Sequence, residues 1–158
     1  MDYNHFVESA DEILPGIWLG NEAVSQSRNF MKKNRIKLIV NATKNIPSKF
    51  LGKIHYIRVP VDDPGTLSAR AEHIDENITI MRESLPIILM AIHKFHSKGH
   101  PILIHCHAGA QRSAIITAAY LLYIQAEKTT QDSIEKIISK RGVAFFGGRS
   151  VNFRSVLN

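Results

Sequence analysis

The segment ILIHCHAGAQRS, from Ile102 to Ser113, contains the only cysteine of this 158-residue chain. It begins as an apolar run of strand length and passes through a short glycine-containing loop. It then leads into Ser113 to Gln125, whose apolar character is typical of a buried helix. A loop that joins a strand to a helix in this way directs successive backbone N–H groups into one concavity, where the helix dipole also favours an anion. The sequence therefore predicts an anion-binding cradle with Cys106 at its base.

The residues around Cys106 predict nucleophilic chemistry on a phosphoryl group. The cradle amides would stabilise the thiolate and lower its pKa, so that the sulfur is nucleophilic at neutral pH. Arg112 has a planar guanidinium that can hold two phosphoryl oxygens, and Ser113 can hydrogen-bond the thiolate when it leaves. His105 can hold the loop through its ring N–H. The residues expected to bind the phosphoryl group are His107, Ala108, Gly109, Ala110, Gln111 and Arg112. The alternative for a lone cysteine at a strand end is a small buried hydrophobic side chain.

Composition limits where such a chain can work and what it can bind. A single cysteine excludes an intramolecular disulfide and a thiolate zinc site, and it suits a reducing compartment, cytoplasmic or nuclear. The N-terminal residues MDYNHFVESADE lack the features of a secretory signal, and the apolar stretch Ala114 to Ala126 is too short to span a bilayer, so no membrane insertion is expected. The formal net charge of +6 suits phosphorylated, nucleic-acid or anionic partners, or simply a solvated basic surface.

Predicted strands alternate with predicted helices along the chain. Strands are expected at Ile13 to Asn21, as two strands joined by a Pro-Gly turn, and at Ile36 to Thr43, Ile54 to Val61 and Pro101 to Cys106. Helices are expected at Ala23 to Asn34, at Glu72 to Lys98 with a kink or split at Pro86, at Ser113 to Gln125, from Thr129 or Thr130 to Gly142, and near the C-terminus. This order predicts one α/β domain over residues 1–158, with a central, mostly parallel sheet flanked by helices.

The segment HCHAGAQRS resembles the active-site signature of cysteine-dependent protein tyrosine phosphatases, and the rest of the chain resembles their compact dual-specificity branch. The similar segments are ILPGIWLGNEAVSQ, RIKLIVNAT, HYIRVPVDD, TTQDSIEKIISKRG and NFRSVL, so the resemblance extends from about Ala10 to Leu157. It implies a protein phosphatase that hydrolyses phosphotyrosine and phosphoserine or phosphothreonine. The cysteine would attack phosphorus, and water would hydrolyse the phosphocysteine, with no metal or other cofactor.

The leaving oxygen needs a proton, and the resemblance implies an aspartic acid on another loop as its donor. Aligning YIRVPVDD with the family's strand selects Asp63, with Asp62 as the neighbouring alternative. The family's usual spacing to the cysteine instead favours Asp75, but Asp75 lies within a helical pattern. The interpretation adopted is Asp63 as the general acid, with an insertion at Pro64 to His73.

Other functions and partners remain open from the sequence. The same cradle would serve an RNA 5′-phosphatase, with RNA as an alternative substrate, or a non-catalytic phospho-binding module. A homodimer is possible through an N-terminal helix over Asp2 to Ala10. The resemblance implies a basic residue near a second phosphate pocket at Arg141, but the interpretation adopted is a basic residue that suits a helix C-terminus. The adjacent Phe145 and Phe146 would line a partner surface or cover the core.

Overall fold

The computed structural model describes residues 7–63 and 71–157, which contain a five-stranded sheet. The strands are β1 (Ala10–Leu14), β2 (Ile17–Gly20), β3 (Leu38–Asn41), β4 (His55–Arg58) and β5 (Ile102–His105). Their order across the sheet is β1-β2-β5-β3-β4. Only the β1–β2 pair is antiparallel among these neighbours, and the other three pairs are parallel. The predicted α/β fold with a mostly parallel sheet is confirmed.

Helices connect and cover these strands. They are α1 (Glu22–Ser25), α2 (Arg28–Lys33), α3 (Ala71–His96), α4 (Arg112–Tyr123) and α5 (Thr130–Lys140), followed by 3₁₀ segments at Ala144–Gly148 and Arg154–Leu157. None of the helices within the described residues combines the length and the apolar character needed to cross a bilayer.

One predicted helix is wrong in its extent, and one of the two alternatives predicted at Pro86 does not occur. Ala23 to Asn34 is not one helix, because the hydroxyl of Ser27 accepts a hydrogen bond from the N–H of Phe30 and so starts α2 separately. The split expected at Pro86 is absent, and α3 runs through this residue as one helix. The neighbouring Leu85 and Ile88 are buried in the main core, and this packing stabilises the helix against the loss of one backbone donor.

Strand β5 is the centre of the fold, and all four of its residues are buried. Its side chains alternate between two hydrophobic clusters, since Ile102 and Ile104 pack with α3 and α4 while Leu103 packs beside Met31 of α2. A strand paired on both edges and covered on both faces cannot shift its register without exposing this core. Its carboxyl end therefore places Cys106 at a fixed point beside the start of α4.

Candidate active site

The thiol of Cys106 lies directly after β5 and is 2% exposed. Its sulfur is 3.0 Å from the hydroxyl oxygen of Ser113, in the first turn of α4, and it accepts a hydrogen bond from the N–H of Gly109 at 3.2 Å. The strand thus delivers the sulfur to a loop that turns back over it. The predicted arrangement of cysteine, glycine and serine is present in one place.

The electrostatic surroundings of Cys106 favour its thiolate. Burial alone raises the pKa of this thiol, because a charged sulfur is costly to bury. The positive charge of Arg112 acts against burial, as do the hydrogen bonds from Ser113 and Gly109, and together they hold the pKa below its ordinary value. A buried cysteine with a lowered pKa is a candidate nucleophile, although Cys106 also packs against the main core.

The loop that covers the sulfur has four successive carbonyl oxygens bonded to groups outside it. The N–H of Glu22 donates to the oxygen of His107 at 2.9 Å, and the N–H of Phe145 donates to that of Ala110 at 2.8 Å. The guanidinium of Arg141 donates to the oxygens of Ala108 and Gly109, at 3.2 and 2.9 Å. The carbonyl oxygens, which are the negative ends of the peptide dipoles, therefore bond to groups outside the loop. This leaves the interior of the loop favourable for an anion.

Position 109 requires a glycine, both because of its backbone conformation and because two groups lie close to it. Its φ is +67°, in the left-handed region, and a Cβ there would lie 2.6 Å from the carbonyl oxygen of Gly20 and 2.8 Å from the guanidinium of Arg141. Any side chain would therefore push the loop away from β2 and from the arginine that holds it. The cradle depends on this close approach of two backbones.

Arg112 faces the open side of the cradle. Its guanidinium donates to the carbonyl oxygen of Val61 at 3.0 Å and lines a cleft with a volume of about 380 Å³. The cleft is also lined by Glu22, Thr43, Lys44, Asn45, Ile46, Pro47, Asp62 and His107. His107 is half-exposed and bonds through its Nδ1 to the carboxylate of Glu22 at 2.6 Å. The arginine therefore lies between the thiol and the segment that contains the candidate acids.

His105 is buried and uncharged beneath the loop. Burial lowers its pKa to about 4, and the charges of Arg58 and Arg112 act in the same direction. Its Nδ1 lies 3.3 Å from the carbonyl oxygen of Cys106, and since a carbonyl only accepts, the ring proton is on Nδ1. The contact predicted for its ring N–H is thus made to the peptide of the cysteine itself. Its Nε2 is buried without a hydrogen-bond partner among the described residues.

The two neighbouring aspartates have different partners. Asp63 accepts a hydrogen bond from the side-chain amide of Asn152 at 2.6 Å. The backbone N–H of Asn152 in turn donates to the side-chain oxygen of Gln111 at 3.0 Å. The side-chain amide of Gln111 also donates to the carbonyl oxygen of Ser150 at 2.8 Å. Asp63 is thus tied through Asn152 to the cradle loop.

Asp62 is exposed and forms an ion pair with Lys44 at 3.0 Å. Its backbone N–H donates to the side chain of Asn77 on α3 at 2.7 Å, which fixes the chain just before Asp63. Asp75 is exposed on α3. Most of the predicted insertion, residues 64–70, lies outside the described residues.

Comparison with known proteins identifies the family. Residues 17–153 match the family model described as the catalytic domain of dual specificity phosphatases. The chain belongs to the dual specificity phosphatase family. It is 32% identical over 122 residues to dual specificity protein phosphatase Mpk3 of Drosophila melanogaster, and 31% identical over 113 residues to human dual specificity protein phosphatase 6. These alignments cover 75% and 70% of this chain.

The relatives are longer proteins, and this chain spans about a quarter of them, 27% of Mpk3 and 26% of phosphatase 6. Among solved structures, human DUSP28 superposes with a TM-score of 0.75 over 94% of this chain and 89% of its own, at 21% identity. That likeness concerns the fold.

Sequence reasoning missed Arg141 as a part of this site. Its side chain is 2% exposed, and besides holding the loop it pairs with the carboxylate of Asp11 on β1 at 2.8 Å. The helix C-terminus explains a basic residue but not its burial. No local signal in the sequence links Arg141 to Gly109, because the contact forms only when α5 packs beside β1.

The lowered pKa of Cys106 predicts its alkylation profile. The rate of modification by iodoacetamide, followed by mass spectrometry, should rise with pH to a plateau whose midpoint lies below the ordinary cysteine value of about 8.5. In Ser113→Ala the thiolate loses a hydrogen bond, and the midpoint of the alkylation profile should move to higher pH.

The matched control is Ser133→Ala, since Ser133 is also a buried serine but donates to the carbonyl of Ala118 instead. It should leave the alkylation midpoint unchanged. An unchanged midpoint in Ser113→Ala would show that this hydroxyl does not stabilise the thiolate.

Arg141→Met should destabilise the protein and loosen the cradle. The variant leaves the carbonyls of Ala108 and Gly109 without their donors, and the free energy of unfolding in urea should fall by about 2–5 kcal/mol. Lys140→Met, at the exposed neighbouring position, should change it by less than about 0.5 kcal/mol. Equal effects of the two substitutions would contradict the structural role of Arg141.

Proposed function

We propose that this chain is a cysteine-dependent protein phosphatase that hydrolyses phosphotyrosine and phosphoserine or phosphothreonine through a phosphocysteine intermediate. The observation that carries the proposal is the sulfur of Cys106, which is buried, hydrogen-bonded by Ser113 and Gly109, and charge-stabilised by Arg112. The relatives named above are called dual specificity protein phosphatases, which supports phosphorylated proteins as the substrate class.

In the first step the Cys106 thiolate attacks phosphorus. The S–P bond forms as the P–O bond to the leaving side chain breaks, and Asp63 gives its proton to the leaving oxygen. The backbone amides of residues His107 to Gln111 and the guanidinium of Arg112 bind the phosphoryl oxygens. Because these donors are held in place before reaction, they stabilise the charge that spreads in the transition state.

In the second step a water molecule attacks the phosphocysteine. Asp63, now a carboxylate, accepts a proton from the water as the new P–O bond forms. The S–P bond breaks, and the sulfur leaves as a thiolate that accepts a hydrogen bond from the Ser113 hydroxyl, 3.0 Å away. The same contacts that lower the pKa of the thiol make it a better leaving group.

Asp63 is proposed as the acid because of its connections. Its link through Asn152 and Gln111 couples its position to the cradle. The carboxylate of Asp62 is paired with Lys44 instead, and so it is not connected to the cradle in this way.

The proposal extends to the whole chain as one catalytic unit. This unit works in a reducing compartment, where Cys106 stays reduced and forms no disulfide. The cysteine, arginine and serine of the cradle are those that turnover requires, which favours an enzyme over a phospho-binding module. No comparison supports RNA as substrate or a homodimer.

Cys106→Ser should abolish turnover, because a serine hydroxyl in this site is a far poorer nucleophile and leaving group. Hydrolysis of p-nitrophenyl phosphate should fall by on the order of 10⁴-fold or more. Mass spectrometry of quenched wild-type reactions should detect a phosphorylated enzyme, which the variant should not form. The urea midpoint serves as the folding control, and a folded variant with a tenth of wild-type activity would exclude the covalent mechanism.

Asp63→Asn and Asp62→Asn form an isosteric pair that distinguishes the two acids. With phenyl phosphate, whose leaving group needs a proton, Asp63→Asn should lower kcat by about 10²–10³-fold. With p-nitrophenyl phosphate, a better leaving group, the loss should be smaller. Asp62→Asn should stay within a few-fold on both substrates. The reverse pattern would assign the acid to Asp62.

A further inference from the structure

The structure contains a second, basic cleft at the end of the sheet away from the cradle. We propose that this basic groove is a docking site for an acidic protein segment that carries an apolar anchor side chain, and that it holds phosphoprotein substrates while the cradle acts on them. The groove has a volume of about 330 Å³, and its rim is formed by Arg28, Lys32, Arg35, Lys37 and Lys53.

Among the residues that the structure describes, the five cations of the rim have no acidic counterpart. All five are exposed, and no carboxylate is among the described residues that line the groove. The three ion pairs found in the described part of the chain use Lys44, His107 and Arg141, and so none involves the rim. Like charges collected around a concave surface produce a positive potential that attracts a polyanionic segment.

The floor of the groove is apolar. Met31, Ile36 and Phe50 line it while being only 5%, 4% and 7% exposed, and Ile54 is half-buried beside them. These side chains belong to the cluster on one face of the sheet, so the floor is continuous with the core. A groove with this floor and this rim fits an aliphatic side chain flanked by aspartate or glutamate.

The turn that carries two of the cations is fixed before any ligand binds. Arg35 has a φ of +53°, which an arginine rarely adopts, and it ends the turn after α2. The N–H of Ile36 donates to the oxygen of Met31 at 3.1 Å, and that of Lys37 donates to the oxygen of Pro101 at 2.9 Å. The backbone of the rim is therefore preorganised, which lowers the entropic cost of binding.

The groove and the cradle lie at opposite ends of parallel strands. Lys37 immediately precedes β3 and Ile54 immediately precedes β4, whereas Cys106 follows β5, which is parallel to β3. Four residues of strand separate these two ends by about 13 Å. One substrate protein can occupy both places if a linker long enough to pass around the sheet joins the acidic segment to the phosphorylated residue.

The lining favours a protein segment over single-stranded RNA. RNA grooves pair basic residues with exposed aromatic rings on which bases stack. The aromatic ring that lines this groove, Phe50, is 7% exposed, and the ammonium of Lys49 lies 5.6 Å from its centroid. A ring this buried offers a base no stacking surface, whereas the half-buried Ile54 on the floor offers an aliphatic anchor an apolar contact.

Fluorescence anisotropy with a labelled, unphosphorylated peptide tests the groove directly. The probe alternates glutamate and aspartate around two leucines, and it is measured in excess orthovanadate so that the cradle is blocked. Lys32→Glu with Lys37→Glu should weaken binding by about tenfold or more. The matched control is Lys128→Glu with Lys136→Glu, which makes the same change of net charge on another surface and should bind like wild type.

The outcomes separate docking from general charge effects. Equal weakening in both double variants, or no binding to wild type, would overturn the proposal. Binding that survives replacement of the leucines by serine would exclude the apolar anchor. If labelled oligouridylate binds more tightly than the acidic peptide, and Lys32→Glu with Lys37→Glu abolishes that binding, the groove is a nucleic-acid surface instead. If charge reversal lowers the urea midpoint, Lys32→Ala with Lys37→Ala replaces it and should weaken binding in the same direction.

A kinetic test links the groove to catalysis, and this part rests on the proposed function. A peptide that joins the acidic segment to phosphotyrosine through a flexible linker should show a KM about tenfold higher in Lys32→Glu with Lys37→Glu, with kcat unchanged. The phosphotyrosine peptide without the segment should show no difference. An unchanged KM for the joined peptide would disprove substrate docking. If the wild-type protein shows no phosphatase activity on either peptide, the proposed function is contradicted, while the anisotropy result still stands.

Discussion

The site depends on the hydrogen bonds that keep four carbonyl oxygens of the loop after Cys106 on the outer side of the loop. A loop of this length has as many acceptors as donors, and an anion is repelled if the acceptors face it. Glu22, Phe145 and Arg141 bind those acceptors from three different parts of the chain. The cradle is therefore a product of tertiary packing, although its residues are consecutive. Gly109 completes it, because only a residue without a side chain fits between Gly20 and the arginine.

The main features of this arrangement were predictable from the sequence because they are local. An apolar strand, a glycine loop and an apolar helix follow one another within about 25 residues, so β5, the cradle and α4 were each expected where they occur. The contact between Cys106 and Ser113 follows from the same connection. The division of Ala23 to Asn34 into two helices and the continuous helix through Pro86 show the limit of this reasoning. A serine cap and the packing around Pro86 outweighed periodicity and the usual effect of proline.

The unpredicted contacts join residues that are distant in sequence. Arg141 reaches Gly109 across 32 residues, and Asn152 reaches Asp63 across 89. Between them lie Phe145 and Phe146, both with positive φ, at 53° and 50°. Phe145 is fully buried and bonds to Ala110, so one of the two aromatics covers the core, while Phe146 is 41% exposed. Strained backbone at this point is stabilised by the packing of Phe145, and that packing is invisible to periodicity.

The choice of cation beside the sulfur decides how the thiolate responds to pH. In a cysteine–histidine pair the reactive state exists only while the histidine keeps its proton, so reactivity falls as pH rises through the histidine pKa. Here burial lowers the pKa of His105 to about 4, which leaves that ring neutral, and the nearby charge comes from Arg112. A guanidinium keeps its proton throughout the physiological range. The thiolate of Cys106 is therefore expected to persist at every pH above its own lowered pKa, without a second titration from a neighbouring histidine.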